Sequence, residues 1–212
     1  EGTGLPLSMT LGPGLMGSIY DGIGRPLVHL MEREGNFIAR GLSVPQIDMD
    51  RTWELTPRVA PGDVVTEGTV LAVIQETSLV EHRIQVPAGV SGEVLSVLPA
   101  GYHKTSSVVA RLRDITGRER AIPMVTRWPV RLPRPAKERL APEEPLITGQ
   151  RVIDGLFPIS KGGVAAIPGG FGTGKTVTKH QLAKWSDARI VVYIGCGEQG
   201  NEMTQVLEEF PV

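Results

Sequence analysis

Eight consecutive residues have the types and spacing to hold an anion. Gly169-Gly170-Phe171-Gly172-Thr173-Gly174-Lys175-Thr176 follows the pattern G-x-x-x-x-G-K-[ST]. A polyphosphate needs a backbone that curls until successive N–H groups face its oxygens. Glycines at 169, 170, 172 and 174 permit that curl without steric cost. A helix opening through Lys175, Thr176 and Val177 would turn its positive end on the phosphates. Lys175 would add a mobile cation between the β and γ groups, and the Thr176 hydroxyl would ligate Mg²⁺. On this reading residues 169–177 bind ATP or ADP, Lys175 also serves the reaction, and Thr176 is the metal ligand. The plainer alternative is a glycine-rich turn with an incidental lysine.

Glu198 is the second catalytic candidate. It follows the apolar run Ile190–Ile194 and Gly195-Cys196-Gly197, which places it at the carboxyl end of an expected strand, where ligands of open parallel sheets lie. A carboxylate there could orient or deprotonate a water in line with a γ-phosphorus. Equally, it could be a surface acid opening a helix, where acids are favoured anyway. Cys196 could be a redox group, but a small buried residue is the better reading. His29, His82, His103 and His180 share no metal-ligand spacing.

Particular elements must position these residues. Val164-Ala165-Ala166-Ile167 reads as a short buried strand, Gly169–Gly174 as a turn and Thr176–Lys184 as a helix. Ile190–Ile194 reads as a second buried strand. Met203, Val206, Leu207 and Phe210 share one helical face, stopped by Pro211. That order is a βαβα unit with parallel strands and a right-handed crossover. Upstream, Trp128–Pro145 is rich in proline and mixed charge and reads as an extended linker. Trp53–Leu112 carries dense or alternating apolar residues punctuated by Gly62, Gly68, Gly89, Gly92 and Gly101, the pattern of a small barrel or sandwich. Its phrases Ala60–Val65 and Val86–Val94 resemble the two halves of a biotinyl/lipoyl-like barrel sandwich. Glu1–Leu30 reads as strand ends and turns rather than helix, with one strand near Leu15–Tyr20.

Composition narrows the function classes. The chain has 212 residues, enough for one large or two small domains, and its 22 Lys+Arg against 23 Asp+Glu argue against nucleic-acid binding through bulk charge. No apolar stretch reaches the roughly 18 residues of a membrane-spanning helix. One cysteine excludes an internal disulfide framework and suits a reducing compartment. A start at Glu1 and an end directly after a helical stretch suggest part of a longer protein.

Longer phrases carry a family resemblance. Glu144–Ile159 leads through Ile167-Pro168 into the phosphate loop, and Thr178–Trp185 and Gly195–Met203 follow. With Gly12–Gly17 and Tyr20–Leu27, these resemble the catalytic A subunit of the V/A-type rotary ATPases across essentially the whole chain. The resemblance implies an α/β plus β fold: the N-terminal part of a RecA-like P-loop NTPase core, preceded by a small all-β barrel-sandwich-like insertion domain. It implies residues 1–30 as the end of an N-terminal barrel and linker, 31–123 as the insertion, 124–145 as linker and 146–212 as the start of the nucleotide-binding domain.

By the same resemblance Lys175 and Thr176 take the roles argued above, Glu198 activates water, and MgATP hydrolysis or synthesis is coupled to transmembrane proton or sodium transport. The implied partners are a non-catalytic B subunit in an alternating A3B3 ring, central and peripheral stalk subunits and, indirectly, a membrane ion-translocating sector, with no nucleic acid. The implied location is peripheral, on the cytoplasmic face of a membrane. An arginine finger comes from the neighbouring subunit, so the 212-residue piece alone should bind nucleotide weakly and turn over little.

One departure stands out. The family usually has Gly-Glu-Arg where this chain has Gly197-Glu198-Gln199, and glutamine cannot supply the charged fork of an arginine. The alternatives are another RecA-like hexameric ATPase (F-type-like, export or helicase), a non-catalytic interaction module, or a lipoyl/biotinyl carrier. The carrier needs a lysine on the hairpin near Thr77–His82, which has none.

Overall fold

The computed structural model describes residues 6–35, 37, 39, 41–134, 138, 140–170, 172–198 and 200–209. The chain divides into two compact units, Glu1–Pro135 and Ala136–Val212.

The first unit contains β1 (Ser8–Leu11), α1 (Leu27–Glu34), β2 (Thr52–Pro57), β3 (Val64–Val65), β4 (Val70–Gln75), β5 (Glu81–Gln85), β6 (Gly92–Val97), β7 (Gly101–Lys104), β8 (Val108–Asp114), β9 (Glu119–Pro123) and β10 (Thr126–Pro129). Two four-stranded sheets form, in the orders β5-β4-β2-β7 and β3-β6-β8-β9, and their pairings are antiparallel. The alternation in β2 turns Trp53 and Leu55 inward, because successive strand residues face opposite sides. In β8 the pairing with β9 slips between Val108 and Ala110. Such an irregularity interrupts the two-residue alternation, and Val109 and Ala110 are both buried beside Leu112. Leu55, Leu71, Ile74, Val94, Leu112 and Met124 anchor the shared core. β1 pairs with β10 from Ser8↔Pro129 to Leu11↔Thr126.

The helix α1 departs from the turn-only reading of Glu1–Leu30. Its hydrophobic Leu30 is buried at one face and no proline or glycine interrupts 27–34. Nor does Leu15–Tyr20 form a strand; the strand of this region is β1, and Tyr20 makes only an isolated bridge to Pro26. Gly14 and Gly17, at φ 100° and 70°, break the extended backbone there. Trp128 and Pro129, read as the start of the linker, are strand residues because β1 offers them a ladder.

The second unit contains β11 (Pro145–Leu146), α2 (Arg151–Leu156), β12 (Ile159–Ser160), α3 (Lys175–Trp185) and α4 (Gly200–Glu209). β11 and β12 pair antiparallel. Asp154 gathers the turn before α2, accepting from Thr148 N (2.9 Å), Thr148 Oγ1 (2.6 Å) and Gly149 N (3.0 Å). Asp187 ties the end of α3 to β11, its N–H donating to Ile147 O at 2.9 Å and its carboxylate accepting from Lys161 Nζ at 3.1 Å.

Both helices stand where the periodicity puts them, but the two buried strands do not. Val164–Ile167 and Ile190–Ile194 carry no ladder among the described residues, and Val164 is fully exposed. An apolar run becomes a buried strand only when neighbouring strands and covering helices supply bonds and contacts, and neither run has a strand neighbour among the described residues. The parallel βαβα sheet of the sequence reading is therefore not formed by them. Phe210 and Pro211 lie outside the described residues.

Candidate phosphate-binding site

The glycine-rich loop and α3 make the site. Gly172 and Gly174 stand at φ 76° and 83°, in the left-handed region that a Cβ disfavours. Gly169 is required for space: a Cβ there would lie 2.5 Å from Thr173 Oγ1. That hydroxyl donates to Gly170 O at 2.9 Å. The Lys175 ammonium curls back over the same loop, donating to Gly170 O at 3.0 Å and also to Gly169 O. Gly174 is the N-cap of α3 and, being glycine, offers no capping side chain. The helix bonding begins with Thr178 N donating to Gly174 O at 2.9 Å. The amides before it sit at the positive end of α3 without a side-chain cap, a donor set suited to phosphate. Val177 is on the first turn of α3 and exposed. Phe171 lies outside the described residues.

Beyond the loop, α3 meets two acids. Thr176 Oγ1 donates to Glu202 Oε1 at 3.4 Å, and Lys179 Nζ donates to Glu198 Oε1 at 2.7 Å. The Thr176 hydroxyl beside a carboxylate is an oxygen donor set of the kind Mg²⁺ accepts. Among the described residues no group of three His, Cys, Asp or Glu side chains could hold a metal by itself, so a magnesium ion here would depend on phosphate and water for its other ligands. The bond from Lys179, and then hydrogen bonding with Glu202, hold the Glu198 carboxyl below its ordinary range; the same bond to Glu198 pushes the Lys179 ammonium up. Glu198 is thus an ionised acceptor at neutral pH. A Cβ on Gly195 would meet Met203 Sδ at 2.6 Å.

Lys179 and Glu202 escaped the reading of the sequence. Their signal was spacing: Lys179 follows Thr176 by three residues on one helix, and Glu202 follows Glu198 by four residues in the sequence. Cys196 is exposed rather than buried, because it lies on a turn after a run that no sheet covers among the described residues. His180 is buried, its ring edge-on to Tyr193 at 5.9 Å. Gln199 lies outside the described residues. A cleft of about 660 Å³ sits at the other end of α3, between Trp185, Val191, Tyr193 and Val206. Its walls are mainly apolar, and the phosphate chemistry lies away from it.

Comparison with known proteins accounts for both units. Residues 44–131 match the family described as ATPsynthase alpha/beta subunit barrel-sandwich domain, and residues 149–212 match the ATP synthase alpha/beta family, nucleotide-binding domain. The chain is 57% identical over 211 residues to the A subunit of the A-type ATP synthase of Desulfurococcus sp. (strain SY), covering 100% of this chain and 36% of that protein. It is 56% identical over 211 residues to the corresponding A-type ATP synthase protein of Methanopyrus kandleri, with the same coverage. Against the V-type ATP synthase alpha chain of Halothermothrix orenii it is 54% identical over 209 residues, 99% of this chain and 35% of that one. The chain thus spans little more than a third of the length of these curated relatives. With a barrel-sandwich domain followed by a nucleotide-binding domain, and this identity along its whole length, the chain belongs to the ATP synthase alpha/beta family.

Proposed function

We propose that this chain is part of the catalytic subunit of a V/A-type rotary ATPase, and that its second unit grips the phosphates of MgATP. The observation that carries this is the glycine-rich loop opening directly into an uncapped α3, with the Lys175 ammonium folded over that loop. Amides of the loop and first turn bind the β and γ oxygens. Lys175 exchanges its carbonyl partners for phosphate oxygens and balances charge as the γ group transfers. Thr176 would hold magnesium, which would offset the charge of the phosphates. Glu198 accepts a proton from the attacking water. The new bond runs from that oxygen to the γ-phosphorus, the bond to the bridging oxygen breaks, and ADP and inorganic phosphate leave.

Further readings follow from the family. The insertion domain begins near residue 31, the link follows β10 and runs to 145, and 146–212 is the start of the nucleotide-binding domain. The working assembly is an alternating ring with a non-catalytic partner, joined by stalks to a membrane sector that moves protons or sodium ions. Among the described residues no helix is long and apolar enough to cross a membrane. The place the family implies is peripheral, on the cytoplasmic face. The interaction-module alternative adds no chemistry, and the carrier alternative has no support from geometry: Lys104 lies within β7, bonded to Asp50 at 2.9 Å, rather than on a hairpin tip.

The test is the full-length protein, assembled with its ring partners. Lys175→Ala and Glu198→Gln should both lose ATP hydrolysis, while Glu198→Gln keeps MgATP binding by calorimetry. Unchanged turnover in Glu198→Gln would remove that residue from its role. The 212-residue chain alone should turn over little, since losing an arginine finger from a neighbour costs about 10³–10⁵ in rate.

A further inference from the structure

The site contains two lysines four residues apart on α3, and they serve different groups. Lys175 bends onto the loop carbonyls, whereas Lys179 points to Glu198. The Lys179–Glu198 pair is partly withdrawn from water, with side chains 36% and 20% exposed, and the Lys179 ammonium also lies 6.0 Å from the Tyr193 ring centre. Glu198 needs such a hold. It follows Gly197 at φ 70°, in a turn after a run without strand ladder among the described residues, so the backbone alone leaves its direction loosely set. A 2.7 Å bond to an ammonium mounted on a regular helix fixes one carboxylate oxygen against α3, one turn beyond Thr176.

We propose that Lys179 is a positioning residue for Glu198: it fixes the carboxylate beside the phosphate loop without itself gripping phosphate. This rests on the nucleotide-binding reading above. A carboxylate that must orient a water is sensitive to small displacements, and a misplacement of about 1 Å can cost on the order of 10²-fold in rate. Binding of MgATP, carried by the loop amides and Lys175, does not pass through Lys179.

The experiment compares Lys179→Gln, Lys179→Arg and Lys175→Ala in the assembled full-length ring, measuring kcat, KM and the binding of a non-hydrolysable MgATP analogue. Lys179→Gln should lower kcat about 10–100-fold with KM and analogue affinity within about threefold of wild type. Lys179→Arg, which keeps a cation of similar reach, should recover most of kcat. Wild-type kcat in Lys179→Gln would overturn the proposal. So would loss of analogue binding in Lys179→Gln, which would make Lys179 a phosphate ligand or a folding residue, and so would failure of arginine to restore the rate. The two readings fail separately: wild-type turnover in Lys175→Ala would bring down the nucleotide-binding reading itself, whereas an inactive Lys175→Ala beside a fully active Lys179→Gln would refute only the role given to Lys179.

Discussion

Trp53 carries an indole N–H into the core of the first unit, and that donor must find a partner or cost stability. Thr105 Oγ1, itself fully buried, accepts it at 3.0 Å and donates onward to Arg51 O at 3.1 Å; the Arg51 guanidinium lies 4.1 Å over the indole. Thr105→Val keeps the volume but leaves the Trp53 N–H buried without an acceptor, which should cost about 1–3 kcal/mol in the unfolding free energy measured in urea. Leu112→Ala empties a fully buried site and should cost about 2–5 kcal/mol in the same assay. At the candidate site the sequence proposed the loop, Lys175 and Thr176 because the phosphate pattern is local and its residue types follow from the ligand, and it proposed Glu198 from its place after the run 190–194 and from the family resemblance. It could not identify Lys179 or Glu202, whose relevance depends on two separated segments meeting: α3 and the turn into α4.

Strands and turns are where local pattern and tertiary context diverge. The β-rich stretch from Trp53 was legible because alternation and glycine turns are short-range signals. The apolar runs 164–167 and 190–194 were legible as strand-forming sequence, but a strand is completed by its neighbours, and neither run has one among the described residues. Gly92 shows how close neighbouring strands come. It pairs with Val65 of β3 on one side and Asp114 of β8 on the other, and a Cβ on it would stand 2.1 Å from Arg113 O. Gly92→Ala should therefore force β6 from β8 and cost about 1–3 kcal/mol, with the loss read in urea and as faster amide exchange along β6.

The β8–β9 turn carries a pH signature. Asp114 accepts from Thr116 Oγ1 (2.6 Å), Thr116 N (2.8 Å) and Arg118 N (3.0 Å), and these bonds, the Thr116 hydroxyl first, hold its pKa at about 2 against an ordinary 3.8. A depressed carboxyl adds stability that is complete above about pH 4 and lost as pH falls towards 2. Asp114→Asn should lower the urea midpoint at pH 5, and the gap from wild type should close by pH 2; a gap independent of pH would contradict the turn's charge dependence.

At the scale of the whole molecule the two units differ in how completely they bury apolar surface. The first encloses a shared core reaching from Trp53 to Met124. The second leaves Val192 and Ile194 about three-quarters exposed. Amides of 190–194 should exchange with deuterium far faster than those of β4, whose Leu71, Ala72 and Ile74 are fully buried. The barrel sandwich is closed by strands it contains, whereas the run after α3 has apolar side chains unmatched by strands among the described residues.

The ladder between β1 and β10 also orders events during synthesis. Ser8–Leu11 leaves the ribosome long before Thr126–Pro129 exists, so its pairing must wait until the intervening detour has been translated. That detour pairs its strands among themselves, in the orders β5-β4-β2-β7 and β3-β6-β8-β9, and can set on its own schedule, and the late zipping of its doorway then brings entry and exit together. Nascent chains with residue 124 clear of the exit tunnel but Thr126–Pro129 still inside it should resist protease across β4 and β8 while Ser8–Leu11 stays cleavable. Chains released past the tunnel with Pro129 included should lose that cleavage.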